Sequence, residues 1–179
     1  YILPANLKGE HTLYYENGHK KEDSFYKNGK LHGLQTRWYE NGNKQEAANF
    51  IDGLKYGPAT FWHLNGAKKA ELYFIEDKQD GNTTSWYENG QLKSKMFFNQ
   101  GIPNGVMKDW YNNGEINSEL NLRNGIPYGK GIRWYISGQI SGEVVFENGL
   151  LKEGKKWKPN GDPCPVTNVS NGNGISVVS

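Results

Sequence analysis

The feature that most constrains this chain is a spacing. All six tryptophans fall at Trp38, Trp62, Trp86, Trp110, Trp134 and Trp157, at intervals of 24, 24, 24, 24 and 23 residues. Tyr14 lies 24 residues before Trp38 and takes the same slot. The strings that follow repeat as well: YYENG at 14–18, WYENG at 38–42, WHLNG at 62–66, WYENG at 86–90, WYNNG at 110–114, WYISG at 134–138 and WKPNG at 157–161. A fixed period of this length marks one supersecondary unit built again and again, each copy burying its face against its neighbours. Composition supports an ordered array. With 23 Gly, 21 Asn and only 37 Leu, Ile, Val and Phe among 179 residues, a scattered arrangement would sit close to disorder. The glycines are not scattered: 18 of the 23 occupy three columns, one closing each aromatic string, one five residues before Tyr14 and each of the first five Trp, and one at Gly29, Gly53, Gly101, Gly125 and Gly149.

Each unit reads as two short strands and two turns. The first strand runs from the column glycine into the aromatic pair, as from Leu34 to Tyr39. Asn-Gly follows in six of seven units, and it accepts positive φ at both central positions of a tight hairpin turn. The second strand, from about Lys93 to Phe98 in its unit, alternates apolar and polar residues, so Met96 and Phe98 share a face, as do Leu72 with Phe74 and Val144 with Phe146. No window keeps a helical apolar period. The expected fold is all-β: an elongated single-layer antiparallel meander of about fourteen strands, units recurring every ~10 Å over ~70 Å. Its spine would be the column Tyr14, Trp38, Trp62, Trp86, Trp110, Trp134 and Trp157, together with the alternating aliphatic and aromatic residues.

These strings resemble the MORN repeat, in the bacterial variant of antitoxin YwqK-like proteins. The resemblance spans residues 9 to about 161 in seven copies, with units starting near 9, 33, 57, 81, 105, 129 and 153 of a 1–161 array. It implies hairpin-per-repeat scaffolds and binding surfaces, and a protein partner, of antitoxin or immunity type. Three places depart from the pattern: Asp77 stands for the turn Gly, His63 for the Tyr after Trp62, and the 150–157 segment slips by one residue. Residues 162–179 break the pattern at Asp162-Pro163-Cys164-Pro165 and read as a C-terminal cap or a partial repeat.

Little points to chemistry. His11, His19, His32 and His63 occupy four different slots, so no column gathers a metal site. Glu16, Glu40 and Glu88 share a turn slot about 10 Å apart, too far for paired acids. No nucleophile elbow, zinc or P-loop string occurs. The expectation is a non-enzyme with no cofactor and no metal. With 21 basic and 19 acidic residues well mixed, neither nucleic acid nor an anionic membrane is an expected partner. Cys164 stands alone, so no internal disulfide forms. A start at Tyr1 rather than Met points to an upstream segment such as a signal peptide, tilting the expected compartment toward secreted.

What remains is surface. Tyr15, Tyr39, His63, Tyr87, Tyr111 and Tyr135 each stand beside the spine, on the opposite face by strand alternation, and Phe25, Tyr73, Phe97 and Val145 join them from the second strands. Tyr offers rigid amphipathic contact area at low entropic cost, which suits a protein partner. Aromatic rows also stack sugar rings, which makes a surface-attached protein binding a glycan or wall polymer the alternative. Two open sheet edges leave end-to-end or homo-oligomeric association open.

Overall fold

The computed structural model describes residues 7–164, 169–170 and 173–174. The chain divides into two compact units, Tyr1–Gly90 and Gln91–Ser179. The first holds β1 (Gly9–Tyr14), β2 (Lys20–Lys27), β3 (Lys30–Leu31), β4 (Gly33–Trp38), β5 (Lys44–Ile51), β6 (Leu54–Trp62), β7 (Lys68–Ile75), β8 (Lys78–Gln79) and β9 (Gly81–Trp86). These pair antiparallel in the order β1-β2-β4-β5-β6-β7-β9, with β3 on β2 and β8 on β7. The second unit holds β10 (Leu92–Asn99), β11 (Ile102–Trp110), β12 (Ile116–Arg123), β13 (Ile126–Pro127), β14 (Gly129–Trp134), β15 (Ile140–Glu147) and β16 (Leu150–Lys156). Their order is β10-β11-β12-β14-β15-β16, with β13 on β12. A separate pair, β17 (Val169–Ser170) and β18 (Asn173–Gly174), follows. Each unit is an open, all-β antiparallel meander in one layer, with no helix among the described residues. Most of the expected cap at 162–179 lies outside the described residues.

The two turns of each repeat differ, and this corrects one expectation. The turn after the aromatic pair is not a two-residue turn with positive φ at both Asn and Gly. Only the glycine is left-handed, as at Gly18 (φ 84°) and Gly42 (φ 88°). Tyr15 N–H donates to His19 O (2.8 Å) and Gly18 N–H to Tyr15 O (3.0 Å), the pattern of a three-residue loop with a type I turn and a left-handed glycine. Asparagine fits there for its side chain: Asn17 Oδ1 accepts from His19 N–H at 2.9 Å, and Asn41 and Asn65 repeat the bond. A bulge accompanies this turn, shifting the register just before Tyr14, Trp38, Trp62, Trp110 and Trp134. The other turn is the tight one. Asn28 and Gly29 (φ 51° and 75°) and Asp52 and Gly53 (φ 51° and 91°) are both left-handed, as a type I′ turn requires.

Burial is deepest one step away from the tryptophans. In the first unit Ala48 pairs directly with Ala59; both are buried, with Phe50, under Leu31, Phe61 and Phe74. Along β2 the alternation is plain: Ser24 and Tyr26 are buried and Phe25 between them is exposed. The described tryptophan side chains are half-buried, and Tyr14 in the same slot is 60% exposed. In the second unit Leu122 is buried, and Gly131 is closely packed: a Cβ there would lie 3.0 Å from both Leu120 Cδ1 and Val144 Cγ2, so those side chains would have to give way. The slip expected near 150–157 appears as a bulge between Val145 and Phe146 where β15 meets β16.

The substitution of Asp77 for glycine leaves the tight turn intact. Glu76 and Asp77 both adopt the left-handed region (φ 49° and 64°). The Asp77 carboxylate accepts from Lys55 N–H at 2.7 Å, and Asp77 N–H donates to Lys55 O at 3.0 Å. A left-handed non-glycine costs about 1 kcal/mol, and the side-chain bond returns about as much. Asp77→Gly should therefore change stability by less than about 1 kcal/mol, while Asp77→Ala keeps the strain, loses the bond and destabilises by about 1–2 kcal/mol. Urea unfolding followed by Trp fluorescence checks this; equal midpoints for the two variants would contradict it.

Candidate binding surface

In five repeats the side chain after the aromatic slot reaches into the next repeat. Tyr15 Oη donates to Trp38 O (2.7 Å), Tyr39 Oη to Trp62 O (2.9 Å), Tyr111 Oη to Trp134 O (2.7 Å) and Tyr135 Oη to Trp157 O (2.8 Å). His63 replaces Tyr without breaking the series, since its Nε2 meets Trp86 O at 2.9 Å. A carbonyl only accepts, so Nε2 carries the proton. Tyr87 occupies the same slot and is half-buried like the others. The residues expected to form an aromatic ladder thus stand in the turns, half-buried, with these five polar groups engaged by backbone. Asparagines add a parallel series: Asn17, Asn41 and Asn65 donate their Nδ2 to Glu40 O, Leu64 O and Glu88 O, each at 3.0 Å. Glu40 and Glu88, weighed above as acids, serve here through their main-chain carbonyls.

Tryptophan faces are occupied too in the first unit. Lys20 Nζ lies 5.7 Å from the Trp38 ring centre, Lys44 Nζ 5.7 Å from Trp62 and Lys68 Nζ 5.4 Å from Trp86. An ammonium over an aromatic face is worth about 0.5–1 kcal/mol at exposed sites. On the buried side, Lys55 lies over Phe50, Phe61 and Phe74 and pairs with Glu46, which also faces Arg37; Arg37 in turn meets Glu22. Each charge of this Lys55–Glu46–Arg37–Glu22 series has a partner of opposite sign, which makes the series a packing element.

The open face is formed by the residues between the buried ones. Two slots face each other across the hairpins, giving the pairs Glu10 with Phe25, Leu34 with Asn49 and Pro58 with Tyr73 in the first unit. In the second they give Val106 with Asn121 and Lys130 with Val145. Phe97 holds the Phe25 slot of β10. Leu34 is 56% exposed, Tyr73 42% and Phe97 40%, and Phe25 and Val106 are exposed as well. Tyr73 and Phe97 are among the residues expected from sequence. Leu34 and Val106 were not legible, because their slot holds Glu, Leu, Pro, Asn, Val and Lys in turn and carries no aromatic signal.

Two grooves open on this face of the first unit. One, of about 280 Å³, lies among Glu10, Thr12, Asp23, Phe25 and Leu34. The other, of about 530 Å³, lies among Pro58, Thr60, Glu71, Tyr73, Asp80 and Asn82. Among the described residues no group of three or more His, Cys, Asp or Glu is placed to hold a metal ion. In the first groove the Lys20 ammonium, 2.7 Å from Asp23, and the Thr12 hydroxyl, 2.8 Å away, hold the Asp23 carboxyl below the usual range, and Asp23 raises the lysine in return. A lowered carboxyl pKa adds stability above its unfolded value of about 3.9, and that stability is lost as pH falls through the folded value. Asp23→Asn should therefore lower the urea midpoint slightly at neutral pH and leave it unchanged near pH 2; an equal loss at both would contradict the ion-pair account.

Comparison with known proteins agrees with the repeat geometry. Residues 7–28, 31–52, 79–100 and 103–124 match the family model described as MORN repeat variant. No curated protein matches the chain. MORN repeats are in general repeat and binding modules and not enzymes. The matched segments keep the 24-residue phase within each pair, and the stretch between the pairs contains His63. Four segments of this array are thus similar to the MORN repeat variant.

Proposed function

We propose that this protein is a non-catalytic scaffold that binds a protein partner on the open sheet face, in the manner of an antitoxin or immunity protein that masks its target. The observation that carries the reading is the in-register exposure of Phe25, Leu34 and Tyr73 in the first unit, and of Phe97 and Val106 in the second. Exposed apolar side chains recurring in two facing slots serve no packing role within a single layer, and protein interfaces draw on aromatic anchors of this kind. The Tyr column, Tyr15, Tyr39, His63, Tyr87, Tyr111 and Tyr135, acts in this reading as the frame that holds the face in register. A glycan-binding role would draw on the same exposed rings. It is the weaker reading because Lys20, Lys44 and Lys68 lie over the tryptophan faces that best stack a sugar.

The test is capture of partners from the native source, followed by mass spectrometry, with wild type and one double variant. Phe25→Ala with Tyr73→Ala should lose the captured protein by about tenfold or more while circular dichroism stays unchanged, since hot-spot aromatics cost about 2 kcal/mol or more when truncated. Undiminished capture by that variant would overturn the assignment of this face. Retention of cell-wall polymer in place of protein would favour the glycan reading.

A further inference from the structure

The two grooves of the first unit lie at equivalent places in the repeat, 48 residues apart, and share three lining slots. Thr12, Asp23 and Phe25 line the first, and Thr60, Glu71 and Tyr73 stand at the same slots in the second. Each carboxylate carries the same resting partner, Lys20 on Asp23 and Lys68 on Glu71. The repeat between them has Thr36, Ala47 and Asn49 at those slots, so it keeps the hydroxyl and lacks both the acid and the ring. Groove chemistry therefore recurs at every second repeat of this unit and lapses in between.

An acid beside an aromatic ring on an open face complements a guanidinium. The planar cation stacks on the ring while its paired N–H groups meet the carboxylate. Acidic residues also outnumber lysines in the walls: Glu10 and Asp23 with Lys20 in one groove, Glu71 and Asp80 in the other. Lys20–Asp23 and Lys68–Glu71 are partly exposed single-point pairs of a kind that contributes little, so a stacked, two-pronged guanidinium can exchange with them. The separation is fixed by the sheet. From β2 to β7 the order β2-β4-β5-β6-β7 takes four strand steps, about 19 Å, which is the reach of about six extended residues. Residues six apart in an extended chain also point to the same side.

We infer that the two grooves receive two arginine side chains, six residues apart, from one extended basic segment of a protein partner lying across the strands. This rests on the proposed docking of a partner on the open face and specifies what that partner presents.

The probe is a fluorescein-labelled decapeptide of Ser and Ala with Arg at positions 2 and 8, titrated with the full chain by fluorescence anisotropy. It should bind about tenfold or more tightly than a peptide with its arginines three apart, whose side chains point to opposite sides. Lys in place of Arg, and added salt, should both weaken binding. Asp23→Asn and Glu71→Gln should each cost about tenfold, because losing one groove forfeits the linked second contact. Glu115→Gln, at an exposed turn of the second unit, should change nothing. Binding that ignores arginine spacing, that survives both carboxylate changes, that is matched by a Glu-substituted peptide, or that is absent would overturn the inference. Partner capture separates this from failure of the docking reading. Capture lost with Phe25→Ala and Tyr73→Ala but kept with Asp23→Asn and Glu71→Gln retains the face and sinks the arginine assignment. Capture kept by every variant sinks both.

Discussion

Everything in the array depends on one short hydrogen bond made between repeats. The hydroxyl of the residue after the aromatic slot donates to the main-chain carbonyl of the aromatic residue 22 or 23 positions later. The bond fixes the spacing of successive hairpins on the wide-turn side, where bulges would otherwise loosen the ladder. On the opposite side the tight turns do the corresponding work through backbone alone. Gly29 N–H donates to Leu7 O, Gly53 to Leu31 O, Asp77 to Lys55 O and Gly125 to Pro103 O, at 2.8–3.0 Å. Each repeat is thereby tied at both ends as well as along its strands, which suits a single layer that has no second sheet to press against. The aliphatic content is low for that reason: polar side chains and backbone carry much of the contact that a core supplies elsewhere.

The division of labour between the two faces follows from the period-two alternation of strands. One face buries Ser24, Tyr26, Gln35, Ala48, Phe50 and Ala59 and holds the Lys55–Glu46 pair among three Phe rings. The other presents Phe25, Leu34 and Tyr73 to solvent. A ladder locked at both turns holds these exposed side chains at a fixed pitch, and a fixed pitch is what a partner with regularly placed side chains can read. Rigidity of the frame thus reduces the entropic cost of binding on the open face.

Much of the fold was legible because 24-residue spacing, glycine columns and strand alternation all reflect backbone rules that act locally. The repeat, the hairpins, the absence of helix among the described residues and the short second strands such as Leu92–Asn99 follow from them. The geometry of the Asn-Gly turn was not legible, since the same dipeptide serves a two-residue turn at Asn28-Gly29 and a three-residue loop at Asn17-Gly18. What separates them is the bulge, a property of the pairing strand. The role of the Tyr column was hidden for a related reason. Alternation gives the face of a strand residue, but Tyr15 and Tyr39 have left the strand, and their side chains follow the next repeat's carbonyl. His63 looked like a departure from the pattern, and only its Nε2 contact with Trp86 O explains why imidazole is accepted there. On the open face, Leu34 and Val106 carried no signal because their slot tolerates almost any residue.

The most direct measurement of this account compares a tyrosine whose hydroxyl is bonded to the next repeat with one that stands exposed. Tyr39 Oη is bonded to Trp62 O, whereas the Tyr14 ring stands 60% exposed at the first strand. Urea unfolding of Tyr39→Phe should show a loss of about 1–3 kcal/mol, since the change strands a part-buried carbonyl. Tyr14→Phe should fall within about 0.5 kcal/mol of wild type, as exposed substitutions do. Equal, small losses for both would mean that the hydrogen bond between repeats does not hold the array together.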